Sequence, residues 1–195
     1  MSTLTAARPT LIDALWPTAD AWPELARKAL LILAGTALLA ISARAQIPFW
    51  PVPMTMQTFV VLVIGMVYGA RLGAATLVAY LLEGAVGLPV FATGGGLAYF
   101  AGPTAGYLFG FLLAALLVGS LAERGWDRNP RLTVLAMTLG TIVIFACGVL
   151  WLSVYVGSIG EAIKTGVAPF VPAALLKIAL AAIVLPSAWR LIRER

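Results

Sequence analysis

The chain has 195 residues, of which 62% are hydrophobic and 11% charged, with a mean hydropathy of +1.00 and a formal net charge of +5. An ordinary soluble domain carries about 25% charged residues, so this chain cannot clothe itself in polar surface and reads as an integral membrane protein. Its basic residues stand singly or in pairs around apolar runs, which excludes a nucleic-acid surface, and one cysteine with no histidine excludes an internal disulfide and a Cys/His metal cluster.

Residues 1–26 hold Asp13, Pro17, Asp20 and Pro23 where a signal peptide needs an unbroken apolar core. This stretch reads as a cytoplasmic or interfacial leader, followed by one membrane domain over 27–195. Apolar segments then fall at 29–42, 55–69, 72–87, 104–122, 132–156 and 169–192. Their continuous apolar character predicts helices, since a barrel strand alternates apolar and polar residues. The expected fold is therefore all-α, a polytopic bundle of six transmembrane helices. With the N-terminus inside, ten basic residues lie on the inner side and three, Arg44, Lys164 and Lys177, on the outer. That bias supports a six-crossing topology with both termini cytoplasmic.

The connections differ in kind. The inner ones, Gly69-Ala70-Arg71 and 122–131, are charged, whereas the outer ones, 43–55, 88–104 and 156–172, are rich in Pro, Gly, aromatic and hydroxyl residues. Irregular backbone at membrane depth is tolerated where protein buries it or where it lines a cavity, so the binding cavity is expected on the outer face.

The stretch GLPVFATGGGLAYFAGPTAGYLFGF at 87–111 contains seven glycines. No Lys-Ser/Thr pair or strand-to-helix turn accompanies Gly94, Gly95 and Gly96, which argues against a nucleotide cradle. Two readings stay open: a plain flexible loop, or a lid whose backbone approaches a ligand closely. Gly102, Gly106 and Gly110 recur every four residues, as do Gly65, Gly69 and Gly73, and both rows read as helix-packing faces.

Lys177 lies inside the last apolar segment, where a charge costs a few kcal/mol and implies a role. It either snorkels to the outer interface or receives an anionic group such as a carboxylate. Glu83 either accepts hydrogen bonds from a substrate or pairs with Lys177. Gln57 offers a donor and an acceptor, for a ligand or for a neighbouring helix. Trp50, Tyr99 and Tyr107 supply aromatic surface, as an interfacial belt or as walls against a ring. With no histidine, paired carboxylates or nucleophile elbow, an enzyme is not expected. The sequence also offers no nucleotide-binding module, so active transport would draw on partners or an ion gradient.

PVPMTMQTF (51–59), GAVGLPVFATGGG (84–96), GPTAGYLFGF (102–111) and GVAPFVPAALLKIALAA (166–182) together resemble the BioY family, the biotin-specific substrate-capture (S) components of energy-coupling-factor transporters. The resemblance runs from about Arg27 to the C-terminus. It implies the S-component fold in a bacterial cytoplasmic membrane and an outward-opening biotin site. It further implies a transmembrane coupling subunit, two cytoplasmic ATPases, and transport by rotation of the whole S component. Biotin is then the transported ligand and no cofactor is expected. Lys177 suits its carboxylate, and Gln57, Thr93 and loop amides suit its ureido ring. Two positions depart from the family pattern. The acid usual three residues before the last-helix lysine is replaced by Ala174, and the coupling-subunit docking pattern is replaced by Ala34, Ala37 and Ala40 at spacings of three. A carrier for another vitamin and a non-transporting structural subunit are the competing readings.

Overall fold

The computed structural model describes residues 8–17 and 24–193. Much of the expected leader, including Asp20 and Pro23, and both chain ends lie outside the described residues. A short helix α1 (Leu11–Leu15) precedes α2 (Glu24–Arg44). Two-residue strands β1 (Gln46–Ile47) and β2 (Met54–Thr55) pair antiparallel, with Gln46 opposite Thr55 and Ile47 opposite Met54. There follow α3 (Gln57–Ala85), α4 (Ala105–Ala122), α5 (Pro130–Val156), α6 (Ile159–Gly166) and α7 (Val171–Arg193). Among the described residues, five helical stretches are long and apolar enough to cross a membrane. One of them joins α6 to α7 across 159–192.

The second of the five, α3, is folded back on itself. Gly69 takes φ 78°, ψ 178°, a conformation other residues rarely adopt. Beyond it, Tyr80 returns to within hydrogen-bond reach of Gln57, and a methyl built on Gly73 would touch the Cα of Gly65 at 3.3 Å. In one straight helix residues 57 and 80 would lie about 35 Å apart at 1.5 Å per residue. The two segments expected at 55–69 and 72–87 are therefore the antiparallel arms of a helical hairpin. The row Gly65, Gly69 and Gly73 is corrected accordingly: Gly69 is the hinge, and the other two let the arms and α4 approach. A methyl on Gly65 would lie 2.9 Å from the Ala115 carbonyl oxygen.

The same rule of close approach governs α4. Its Gly106 and Gly110 pack on α5 near Cys147 and Ile144, whereas Gly102 lies before the helix and caps a short 3-10 turn, Leu97–Ala101. Within lipid no hydrophobic drive holds helices together, so such small-residue contacts supply dispersion. A shared core of Leu62, Ile64, Leu108, Phe111, Val118, Met137 and Ile144 fills the centre.

One end of the bundle gathers the charged connections. Gly69-Ala70 meets Glu123, whose Oε1 accepts from the Ala70 N–H at 2.9 Å, and the Arg8 N–H donates to the Glu123 carbonyl at 2.9 Å. Arg27 bonds Asp13 at 3.1 Å and the Ile12 carbonyl at 3.1 Å, so α1 is tied across this end. Burial opposes ionisation of Asp13, yet hydrogen bonds from Thr10 and Arg27 hold its pKa below the ordinary 3.8. Asp127, in the α4–α5 connection, accepts from the Trp189 indole, and Arg128 stacks 4.0 Å over the same ring. Burial pushes this carboxyl up from 3.8.

The glycine contacts generate a test. At Gly119 an added methyl would lie 2.4 Å from the Ala70 nitrogen, which is backbone that cannot step aside, whereas at Gly160 the nearest atom is 3.6 Å away. Gly119→Ala is expected to destabilise the protein by about 1–3 kcal/mol, the usual cost of overpacking, and Gly160→Ala to leave it unchanged. Thermal unfolding in detergent checks both; equal midpoints would contradict the packing described.

Candidate functional site: a cavity where three helices begin

At the opposite end the three Pro- and Gly-rich connections, 43–55, 88–104 and 156–172, converge. The Gln46 amide donates to the Ala92 carbonyl at 3.1 Å, joining the β1–β2 hairpin to the loop after α3. The Trp151 indole donates to the Gly102 carbonyl at 2.8 Å, and Tyr107 donates to the Gly166 carbonyl at 2.8 Å. Phe49 of the hairpin meets Phe170 at 6.1 Å between ring centres. These segments, expected as irregular loops, thus hold more structure than foreseen, including β1, β2 and α6. The sequence signal for α6 was its cap, Ser158, whose hydroxyl accepts from the Glu161 N–H.

Beneath them lies a cavity whose walls come from the starts of α3, α4 and α7 and the middle of α5. Thr55, Gln57 and Thr58 enter from the α3 side, Thr104 and Tyr107 from α4, Thr141 and Ile144 from α5, and Ala174 and Lys177 from α7. Three helices begin at this cavity, which brings the positive ends of their dipoles to it. The rest of the lining is largely apolar, with Phe59, Leu62, Phe111, Met137 and Phe145 among it. An apolar cleft with a few placed polar groups is the ordinary form of a small-molecule site.

Lys177 is held across the cavity wall. Its Nζ donates to the Thr55 carbonyl at 2.7 Å and to the Thr58 hydroxyl at 2.8 Å. An ammonium has three N–H donors, so one remains for a ligand. Gln57 is 4% exposed, and its amide nitrogen donates to the Tyr80 hydroxyl at 2.6 Å.

The structure brings Gln57, Tyr99, Tyr107 and Lys177 to this cavity. Trp50 and Thr93 line an adjoining cleft with Phe49 and Pro103, which shares Pro53, Tyr99 and Thr104 with the cavity. Trp50 is 85% exposed there. Glu83 is half-buried, lines neither space and forms no ion pair with Lys177. The reason is its register: on the return arm it is Tyr80 that faces the α3 start, three residues earlier.

Gly94, Gly95 and Gly96 also lie outside the cavity lining. Gly94 and Gly96 take φ 142° and 97°, the Gly96 N–H donates to the Gly84 carbonyl at 2.7 Å, and a Cβ on Gly95 would collide with the Leu88 carbonyl at 2.1 Å. Their geometry ties this part of the loop to the end of α3, while Ala92 and Tyr99 on either side of it line the cavity. Phe91 anchors that fold, fully buried beside Tyr80 at 5.4 Å, Tyr99 at 4.7 Å and Phe100 at 5.6 Å. Thr55, Thr58, Thr104 and Tyr80 were missed. The hydroxyl cluster in PVPMTMQTF was the available signal for the first two.

Residues 11–194 match the BioY family model. The chain belongs to the BioY family. Among its BioY relatives, the biotin transporter BioY of Thermotoga maritima is 43% identical over 157 residues, covering 79% of this chain and 92% of the relative. The probable biotin transporter BioY of Pyrococcus horikoshii is 35% identical over 160 residues, covering 82% and 94%. A crystal structure of the S-component for biotin from an ECF-type ABC transporter superposes with a TM-score of 0.73 over 90% of this chain and 96% of that one. At 22% identity this likeness establishes the S-component fold of the BioY chain.

The Tyr107 contact yields a stability test. Tyr107→Phe leaves the buried Gly166 carbonyl without its donor and is expected to cost about 1–3 kcal/mol. Guanidinium or thermal unfolding in detergent measures it; an unchanged midpoint would contradict the bond between α4 and the α6 end.

Proposed function

We propose that this protein is the biotin-capturing subunit of an uptake system in the cytoplasmic membrane. The observation that carries the reading is Lys177 standing in an apolar cavity with Gln57 and three helix N-termini. Biotin is a carboxylate joined by an apolar chain to a bicyclic ring with a ureido face. The cationic side of the cavity suits the carboxylate, through a charge-assisted bond to Lys177 and the positive helix ends. Gln57 and the threonine hydroxyls suit the ureido group, and the aromatic and aliphatic walls suit the thiophane ring. With Ala174 in place of an acid, polar recognition of the ring falls to the α3 side. The names borne by the relatives support the same ligand.

In this reading the chain crosses the bilayer six times, through α2, the two arms of α3, α4, α5 and α7. The arms, 57–68 and 70–85, span about 18 and 24 Å at 1.5 Å per residue, less than the roughly 30 Å hydrocarbon core. The protein-buried hairpin and loops complete the distance. The excess of basic residues at the Gly69 and 122–131 end supports a cytoplasmic position for that end and both termini, with the cavity opening outward. A transmembrane coupling subunit and two ATPases would supply the energy. Ala34 and Ala37 are exposed on α2 and Ala40 is half-buried, so this face offers a small-residue surface for close packing against the coupling subunit.

Purified protein is expected to bind labelled biotin saturably and an unrelated vitamin not at all. Lys177→Ala is expected to weaken biotin by at least about tenfold, one lost charge-assisted bond, and to weaken biotin amide much less. Equal losses for acid and amide would remove the carboxylate role, and absent saturable binding would overturn the proposal.

A further inference from the structure

Tyr80 lines no cavity surface, yet it sits directly behind the one amide that does. Its ring is fully buried between the arms of the α3 hairpin. Its hydroxyl makes two bonds: one to the Val90 carbonyl at 2.8 Å and one to the Gln57 amide at 2.6 Å. A backbone carbonyl only accepts, and a phenol has a single proton. That proton is therefore committed to Val90, and toward Gln57 the phenol oxygen can only accept. Gln57 must then turn its NH2 toward Tyr80, which leaves the carboxamide oxygen on the cavity side.

The second neighbour of that oxygen agrees with this orientation. The Thr55 hydroxyl accepts from the Gln57 backbone N–H at 3.2 Å and lies 3.3 Å from Oε1, to which it donates. Had the amide been reversed, its oxygen would face a phenol with no proton to offer, and the Thr55 hydroxyl would lose the acceptor to which it donates. Oε1 retains capacity for another donor, because a carbonyl oxygen accepts twice.

We infer that Tyr80 is a positioning residue that sets the hydrogen-bond polarity of the site: through the Val90 carbonyl it makes Gln57 present an acceptor, so the cavity selects ligands carrying an N–H at that point. The inference rests on the biotin reading, in which the selected group is a ureido N–H. It extends that reading by naming which side of the ring contact donates and what enforces it. The loop fold contributes as well. Val90 is held where Tyr80 can reach it because Phe91 is buried in the space that Gly84 leaves open, where a Cβ would strike the Phe91 ring at 2.0 Å.

The test uses two isosteric biotin analogues, cyclic carbamates in which one or the other ureido N–H is replaced by ring oxygen. Each swaps a donor for an acceptor at nearly constant shape. The wild-type protein is expected to prefer biotin to one of the two by at least about tenfold, since the analogue sets two acceptors face to face. In Tyr80→Phe the amide is free to turn its NH2 to the cavity, and that preference is expected to shrink to within about threefold. Gln57→Met removes the acceptor and is expected to shrink it likewise, which keeps the inference testable if the phenylalanine variant cannot be purified.

A Tyr80→Phe protein that loses affinity for all ligands by the same factor, with the preference intact, would show a structural role only and overturn the inference. So would a Gln57→Met protein that keeps the preference, or a wild-type protein that binds both carbamates as well as biotin. Absence of saturable biotin binding by the wild type is a different outcome: it removes the proposed function and this inference with it.

Discussion

An ammonium held among apolar helices costs several kcal/mol unless its N–H groups find oxygen. Lys177 meets that demand inside the protein, by donating to the Thr55 carbonyl and the Thr58 hydroxyl. The two bonds fasten α7 to β2 and to the start of α3, across separations of 122 and 119 residues in sequence. They also determine where the cavity's charge lies, close to a helix N-terminus that an anion would occupy with profit from both sources. Removing the lysine therefore alters the cavity wall and a tertiary tie together.

The remaining architecture supplies a frame for that point. The hinge at Gly69 returns the chain so that Tyr80 stands beside Gln57, and the glycine contacts of α4 let it lie close against both the hairpin and α5. At one end charged connections and α1 are held together by Glu123, Asp13, Arg27 and Asp127. At the other, β2, Ala92 and Tyr99 of the Phe91 loop, and Phe170 help wall a cavity at which three helices begin. The asymmetry between these ends is the one recorded in the charges of the sequence.

Much of this was legible beforehand because it rests on composition and periodicity. Apolar segment positions agreed within a few residues, and the Gly69-Ala70-Arg71 break marked a true reversal. Lys177 and Gln57 stood out since an isolated polar group in an apolar run must answer for its burial. What the residues concealed was side-chain direction. Glu83 and Tyr80 lie three apart on one helix, and only the hairpin's register decides that the tyrosine rather than the acid meets Gln57. The triple glycine likewise announced unusual backbone, but not that Gly96 would bond the Gly84 carbonyl while Ala92 and Tyr99 line the cavity. The strands and α6 escaped notice because each is too short for its pattern to rise above Pro- and Gly-rich surroundings.

The central claim is that one cavity binds a carboxylated ligand through Lys177. A structure determined with biotin bound tests this most directly. The account predicts a biotin carboxylate oxygen within about 2.7–2.9 Å of the Lys177 Nζ, with the ring toward Gln57. Biotin seated elsewhere, for instance in the cleft beside Trp50, or lying in the cavity with its carboxylate turned away from Lys177, would contradict it.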